Sequence, residues 1–377
     1  MCFTQNNNDM GVKKVLFVAP GHGNGGIRSW AKKMLMSFCN DEYELIHIGV
    51  AYRRALRGEC GLIRRVFDGL LDLLDTRNTI KSKLIQQNDI KIAHITTSGS
   101  LGTLSDYVIG KLCKRNGVKT ILHCHYGCIK EDYTKKGPIG ILLRKTMKLY
   151  DQIWVLDTVS FNILSANSML AGKVHITPNS IHVPTEVNIV AKKYEKIAFV
   201  GNLVPTKGLY ELIEAIKQCA ENTTLTIIGP GKDSVISHIK QLGGELIDKR
   251  IKIIGALPNE QAIEMIKSMD IIALPTYYQS EAFPISILEA MSYGKMVIST
   301  PRAAIKDMLT AIDGSECGYL VRERYVEDIA EAIMWCQSNP ELADERCKKA
   351  YDKVYSCYRT DVIYELYRNL YKKVITE

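Results

Sequence analysis

The stretch DIIALPTYYQSEAFPISILEAMSYGKMVIST, residues 270–300, carries the two periodicities that decide the fold. DIIALP (270–275) is a short apolar run closed by proline, a helix is predicted from Pro284, and MVIST (296–300) is apolar again. Short apolar runs bounded by turn residues read as strands buried on both faces, and strands separated by helices call for a mainly parallel sheet covered on both sides. A proline at the first helical position forfeits no hydrogen bond. The free amides of that turn then point out of the loop, where an anion is favoured.

The same alternation extends outward. KIAFVG (196–201), TLTIIG (224–229) and IKIIGA (251–256) read as strands, with helices starting near Leu209, Ser234 and Asn259. In the first half KKVLFVAP (13–20), YELIHIGV (43–50), IKIAHITT (90–97), KTILHCHY (119–126), QIWVLD (152–157) and KVHITPN (173–179) do the same. The reading is α/β, with two Rossmann-like doubly wound parallel-sheet domains facing across a cleft. The expected boundaries are residues 1–181 and 196–358, with a polar linker at 182–195. A C-terminal helix at 359–377 is a candidate to cross back onto the first domain.

A chain of 377 residues with 46% hydrophobic and 24% charged residues is globular and too long for one core. It has no apolar run of eighteen residues, and MCFTQNNNDM at the start lacks the features of a secretory signal, so the expected location is the cytoplasm, at most peripheral at the inner membrane face. Eleven irregularly spaced cysteines read as reduced thiols. HCHYGC (123–128) is the dense cluster of metal-ligand types, but on a strand His123 and His125 share a face that Cys124 does not, which disfavours a zinc site. The net charge of +8 is uneven: residues 1–180 carry +11 and residues 181–377 carry −3. A basic first half favours an anionic partner, and no recognised motif makes that partner a nucleic acid.

Glu281 precedes the helix at Pro284 and Glu289 lies inside it, so the two carboxylates cannot grip one atom but could hold two hydroxyl-bearing parts of one ligand. Read in isolation, Glu281 is a helix-start acid and Glu289 a surface residue. GNLVPTKG (201–208) places Lys207 beside Gly208 between a strand and a helix; it is not a nucleotide-triphosphate loop, because no glycine precedes the lysine and no Ser or Thr follows it. Gly229 and Gly231 form another loop after a strand. GHGNGG (21–26) satisfies the dinucleotide spacing, but HIGVAYRR lacks the ribose-binding acid a dehydrogenase needs after its second strand. LRGECGLIRRVFDGLLDLL (56–74) puts Leu62, Ile63, Val66, Phe67, Leu70, Leu71 and Leu74 on one stripe beside Arg57, Arg64 and Arg65; a core helix with a solvated basic edge is favoured over a membrane-surface or acceptor-binding helix.

EAFPISILEAMSYG (281–294) resembles the signature of the family 4 retaining glycosyltransferases, the glycosyl transferases group 1, in which two glutamates are separated by seven residues. GNLVPTKG is similar to the same family's lysine loop. The resemblance implies the two-domain GT-B fold and a nucleotide-sugar donor bound as substrate, with no cofactor and no metal. It implies that Glu281 meets the sugar hydroxyls, Ala282, Phe283 and Pro284 line the sugar and phosphates, and Glu289 meets the ribose. It gives Lys207 the departing diphosphate, places Gly201, Asn202, Gly229 and Gly231 near the nucleotide, and puts Gly25, Gly26 and His125 across the cleft. Asn202 stands where the family has Arg, and Ala282 where it has Gly, which would be strained if that backbone took a positive φ. Asn179 in TPNS reads as structural. The implied reaction is transfer of a hexose from a UDP- or GDP-sugar to a hydroxyl of a glycan or lipid-linked acceptor with retained configuration, in cell-surface polysaccharide synthesis. The rival readings are an epimerase or hydrolase of the same fold and a non-catalytic sugar-nucleotide-binding protein.

Overall fold

The computed structural model describes all residues except 1–11, 23–25, 40–41, 51–60, 88, 100–101, 188, 190–192 and 377, and the side chains of 62, 63, 65 and 66. The first domain is a six-stranded parallel sheet built from β1 (Lys13–Pro20), β2 (Tyr43–Val50), β3 (Ile90–Thr97), β4 (Lys119–Cys124), β5 (Gln152–Val155) and β6 (Val174–Ile176), in the order β2-β1-β3-β4-β5-β6. The second contains β7 (Lys196–Val200), β8 (Thr224–Ile228), β9 (Ile251–Gly255), β10 (Ile271–Leu274), β11 (Met296–Ser299) and β12 (Tyr319–Leu320), also all parallel, in the order β12-β11-β10-β7-β8-β9. Counted within its own domain, the second sheet has the doubly wound order 3-2-1-4-5-6. Its chain reverses direction of winding between β7 and β10, and the crevice beyond those two strands is where such sheets bind ligands.

Central strands are apolar on both faces because helices cover both. Ile197, Ala198, Phe199, Ile271, Ile272 and Ala273 are fully buried. The C-terminal helix Thr360–Thr376 leaves the second domain and packs on the first. Its Ile363, Tyr364, Tyr367, Leu370, Tyr371 and Val374 recur at helical spacing and join Val15, Phe17, Trp30, Met34 and Phe38 in one core. The two crossings between the domains are tied together, since the Ile181 amide donates to the Tyr358 carbonyl at 2.9 Å and the Thr360 amide to the Ile181 carbonyl at 3.0 Å.

Between the domains, Tyr194 is fully buried with its hydroxyl 2.5 Å from Asp344, and Tyr351 donates to the Pro184 carbonyl at 2.7 Å. Two local expectations change. Strand β4 stops at Cys124, so His125 starts the following loop. In the helix Leu62–Gln86, Phe67, Leu70 and Leu74 are exposed, which overturns the core reading of that stripe; residues 56–60 lie outside the described residues. Among the described residues, no helix is long and apolar enough to cross a membrane.

Candidate functional site

At the crevice beyond β7 and β10, the chain leaves β7 through Gly201 and Asn202 and makes a single 3-10 turn, Pro205–Lys207. Gly208 closes that turn in the left-handed region, φ 76°, where a side chain would also collide with the Pro275 carbonyl. The Tyr277 amide donates to the Thr206 carbonyl at 2.8 Å, so the turn carrying Lys207 is fastened to the loop carrying Glu281. Lys207 Nζ lies 3.0 Å from Glu281 Oε2, with both side chains mostly buried, and Thr276 Oγ1 donates to the same oxygen at 3.4 Å. The loop after β8 runs beside this one: the Leu203 amide donates to the Pro230 carbonyl at 2.8 Å, and Gly229 and Gly231 lie against Gly201 and Leu203. Asn202 is exposed, while Gly201, whose backbone lies next to the Lys207 amine, is half-buried.

Ala282 is absent from the residues with positive φ, so alanine there is unstrained; its carbonyl accepts from the Ala304 amide at 3.1 Å. The Phe283 ring is buried and packs edge-on against Tyr358 at the domain crossing, centroids 5.4 Å apart. Pro284 is the cap residue of the helix Ile285–Ser292, one position earlier than the sequence indicated. Its carbonyl accepts from Ile287 and Leu288, which leaves Ile285 and Ser286 as the first-turn amides outside the helical ladder. Glu289 is buried, contrary to its isolated reading as a surface residue, and burial pushes its carboxyl up to about 7 against the opposing pull of Lys33 from the first domain. Glu281 and Glu289 therefore differ in environment: one is paired with a cation, the other is desolvated.

The first domain supplies the opposite wall. His125 is buried, its ring 4.3 Å from Trp30 and 4.0 Å from His123, and burial pushes its imidazole down to about 3, so it is neutral. Its Nε2 has no hydrogen-bond partner among the described residues. Behind it runs a buried chain: the Tyr371 hydroxyl lies 2.6 Å from His94 Nδ1, His94 Nε2 lies 3.1 Å from His123 Nδ1, and His123 Nε2 lies 3.3 Å from Thr177 Oγ1. Two residues past His125, Gly127 touches the backbone of Glu281 and Ala282, and any side chain at 127 would run into the Glu281 carbonyl. Gly26 begins the helix Gly26–Ser37 and is exposed; Gly25 lies outside the described residues.

The structure thus brings Lys207, Glu281, Gly201, Gly229 and the loop of His125 to one crevice. It also shows contacts that the sequence reading missed. Asn179 Nδ2 donates across the domains to the Phe283 carbonyl at 3.1 Å, and Asp307 accepts from the Thr158 amide at 2.7 Å. Lys33 sits on an ordinary amphipathic helix with no sequence signal pointing at Glu289.

Residues 185–353 match the family model of glycosyl transferases group 1. A D-inositol 3-phosphate glycosyltransferase from Corynebacterium efficiens is 30% identical over 157 residues, which cover 40% of this chain and 34% of that protein. The alignment thus spans about a third of that relative's own length. Among solved structures, sucrose-phosphate synthase from Thermosynechococcus elongatus matches with a TM-score of 0.75 at 15% identity, covering 97% of this chain and 99% of the other. HepE of Anabaena in complex with UDP-glucose matches with a TM-score of 0.71 at 14% identity, covering 96% and 99%. The chain has the two-domain GT-B fold of these structures, and its similarity to the glycosyl transferases group 1 family model is confined to residues 185–353.

Proposed function

We propose that this protein is a glycosyltransferase that moves a hexose from a nucleoside diphosphate sugar to a hydroxyl of a glycan or lipid-linked acceptor, with retained anomeric configuration. The observation that carries the reading is the pairing of Lys207 with Glu281 at the crevice of the second sheet, beside the turn of half-buried Gly201 and exposed Asn202. A diphosphate entering there takes over Lys207, because two phosphates outbid one carboxylate for a cation. Glu281 is then released to accept hydrogen bonds from the sugar hydroxyls. As the anomeric bond to the diphosphate breaks, negative charge collects on the departing phosphate and is met by Lys207 and the amides of Ile285 and Ser286. The new bond forms from the acceptor oxygen to the same face of the anomeric carbon, and the departing phosphate takes the acceptor's proton.

Glu289 in its ionised form suits the ribose hydroxyls, and neutral His125, whose Nε2 has no partner among the described residues, suits a hydroxyl of the donor sugar or acceptor. This charge set leaves no step that needs a divalent ion. The UDP-glucose complex of HepE supports UDP as the first nucleotide to screen. The basic first half of the chain suits an acceptor with anionic groups, such as an intermediate of cell-surface polysaccharide synthesis.

The test is a thermal-shift screen against UDP, GDP, ADP and their sugars, followed by turnover with the best donor in chelator and an NMR assignment of the product linkage. Stabilisation by one nucleotide and a linkage of the donor's own configuration support the proposal. An inverted linkage, or activity that vanishes in chelator, would falsify the mechanism, and sugar release with no acceptor present would mark a hydrolase.

A further inference from the structure

We propose that the exposed face of the Leu62–Gln86 helix docks on a bilayer surface that carries anionic lipids. The helix has 25 residues and spans about 37 Å at 1.5 Å per residue. Phe67, Leu70, Leu74 and Ile85 are 61%, 47%, 52% and 66% exposed. At 100° per residue, Arg77, Leu70, Lys81, Leu74, Phe67, Ile85 and Asn78 fall in one sector about 100° wide. All seven are exposed, and the sector contains no acid. The buried Asp68, Thr76, Ile80 and Leu84 point elsewhere, into the domain. Exposed large apolar side chains aligned along a helix are costly in water, and apolar side chains sharing a face with cations, here Arg77 and Lys81, are the composition of a helix that lies in a membrane interface.

The occupant follows from shape and charge. The face is a single convex helix rather than a groove, so it fits a plane better than a partner's protruding chain. Two copies meeting on this face would bring Arg77 and Lys81 of each toward those of the other. An anionic bilayer instead complements both cations and the net +11 of residues 1–180. The four apolar side chains enter the boundary between headgroups and acyl chains, and the cations extend to the phosphates. The inference stands on the helix and does not depend on what the cleft does.

The test is co-sedimentation of the full chain with vesicles of phosphatidylcholine and phosphatidylglycerol in equal parts, and with phosphatidylcholine alone. The protein is expected to sediment with the mixed vesicles and at least about tenfold less with the neutral ones. Phe67→Ser, Leu70→Ser and Leu74→Ser together should lower the partition by about tenfold or more with an unchanged melting temperature, and Arg77→Gln with Lys81→Gln by about fivefold per cation at low salt. Protein that stays in the supernatant with anionic vesicles, or a triple variant that binds as well as the parent, overturns the proposal. So does a parent that is a dimer and a triple variant that is a monomer, since a second copy then covers the face. If the triple variant does not melt cooperatively, Leu74→Trp decides: a blue-shifted emission on adding mixed vesicles supports docking, and unchanged emission sinks it.

Discussion

Lys207 and Glu281 sit 3.0 Å apart although they belong to different loops, one after β7 and one after β10. Each is mostly buried, so each is the other's main source of neutralisation, and whatever occupies the crevice must compete with that pair.

The competition gives Glu281→Gln two opposite effects. Freed of its carboxylate partner, Lys207 should hold UDP about fivefold more tightly by calorimetric titration, a gain of about 1 kcal/mol. Turnover with the UDP-sugar should fall by about a hundredfold or more, because a contact to the reacting sugar is gone. A glutamate that only braces the loop would leave turnover unchanged. Lys207→Met should lose both nucleotide binding and stability, since it strands a buried carboxylate.

Glu289 sets a pH dependence. Its carboxyl is raised from 4.5 to about 7 by burial, so between those values the folded chain holds a proton the unfolded chain has lost. Its contribution is therefore full below about 4.5 and is lost as pH rises through about 7. The melting temperature of the parent relative to Glu289→Gln should fall across that window and level off above it. The stabilisation given by UDP should grow across the same window in the parent only, if the ionised carboxylate holds the ribose.

The histidine chain acts in the opposite sense. His94 is pushed from 6.5 down to about 3 by burial, so the unfolded chain binds the extra proton. The stability it contributes is present above about 6.5 and drains away as pH falls toward 3. Tyr371→Phe removes the hydroxyl at His94 Nδ1 and should cost about 1–3 kcal/mol in denaturant unfolding at neutral pH.

Gly127→Ala tests the contact between the domains. Its methyl group meets the Glu281 carbonyl, so the lobes must part or the loop must shift. Each domain should still melt cooperatively, while small-angle scattering reports a larger radius of gyration and turnover drops by at least about tenfold. An unchanged radius with full turnover would show that this approach is dispensable.

Local pattern carried much of the fold. The paired sheets follow from apolar runs such as KIAFVG and DIIALP set between helices, and the glutamates and Lys207 stand out through loops placed at strand ends. Three features were not legible. The packing of the Phe283 ring against Tyr358 joins residues 75 apart in sequence. Whether Ala282 is strained turns on a φ that contacts such as the Ala304 amide decide, not the local sequence. The stripe around Phe67 read as core because hydrophobic periodicity reports that a face is apolar, not which surface it meets.

By itself the amino-acid order determined the alternation of strand and helix, the parallel sheets it demands, and the loops in which the chemistry-bearing side chains lie, because these depend on periodicity and on neighbours a few residues away. Only the tertiary structure decided that Lys207 neutralises Glu281, that Lys33 and burial together set the state of Glu289, and that Tyr371 of the last helix completes the chain behind His125. Each of these joins residues far apart in the chain, and the strength of a charge or hydrogen bond depends on the distance and burial that folding creates.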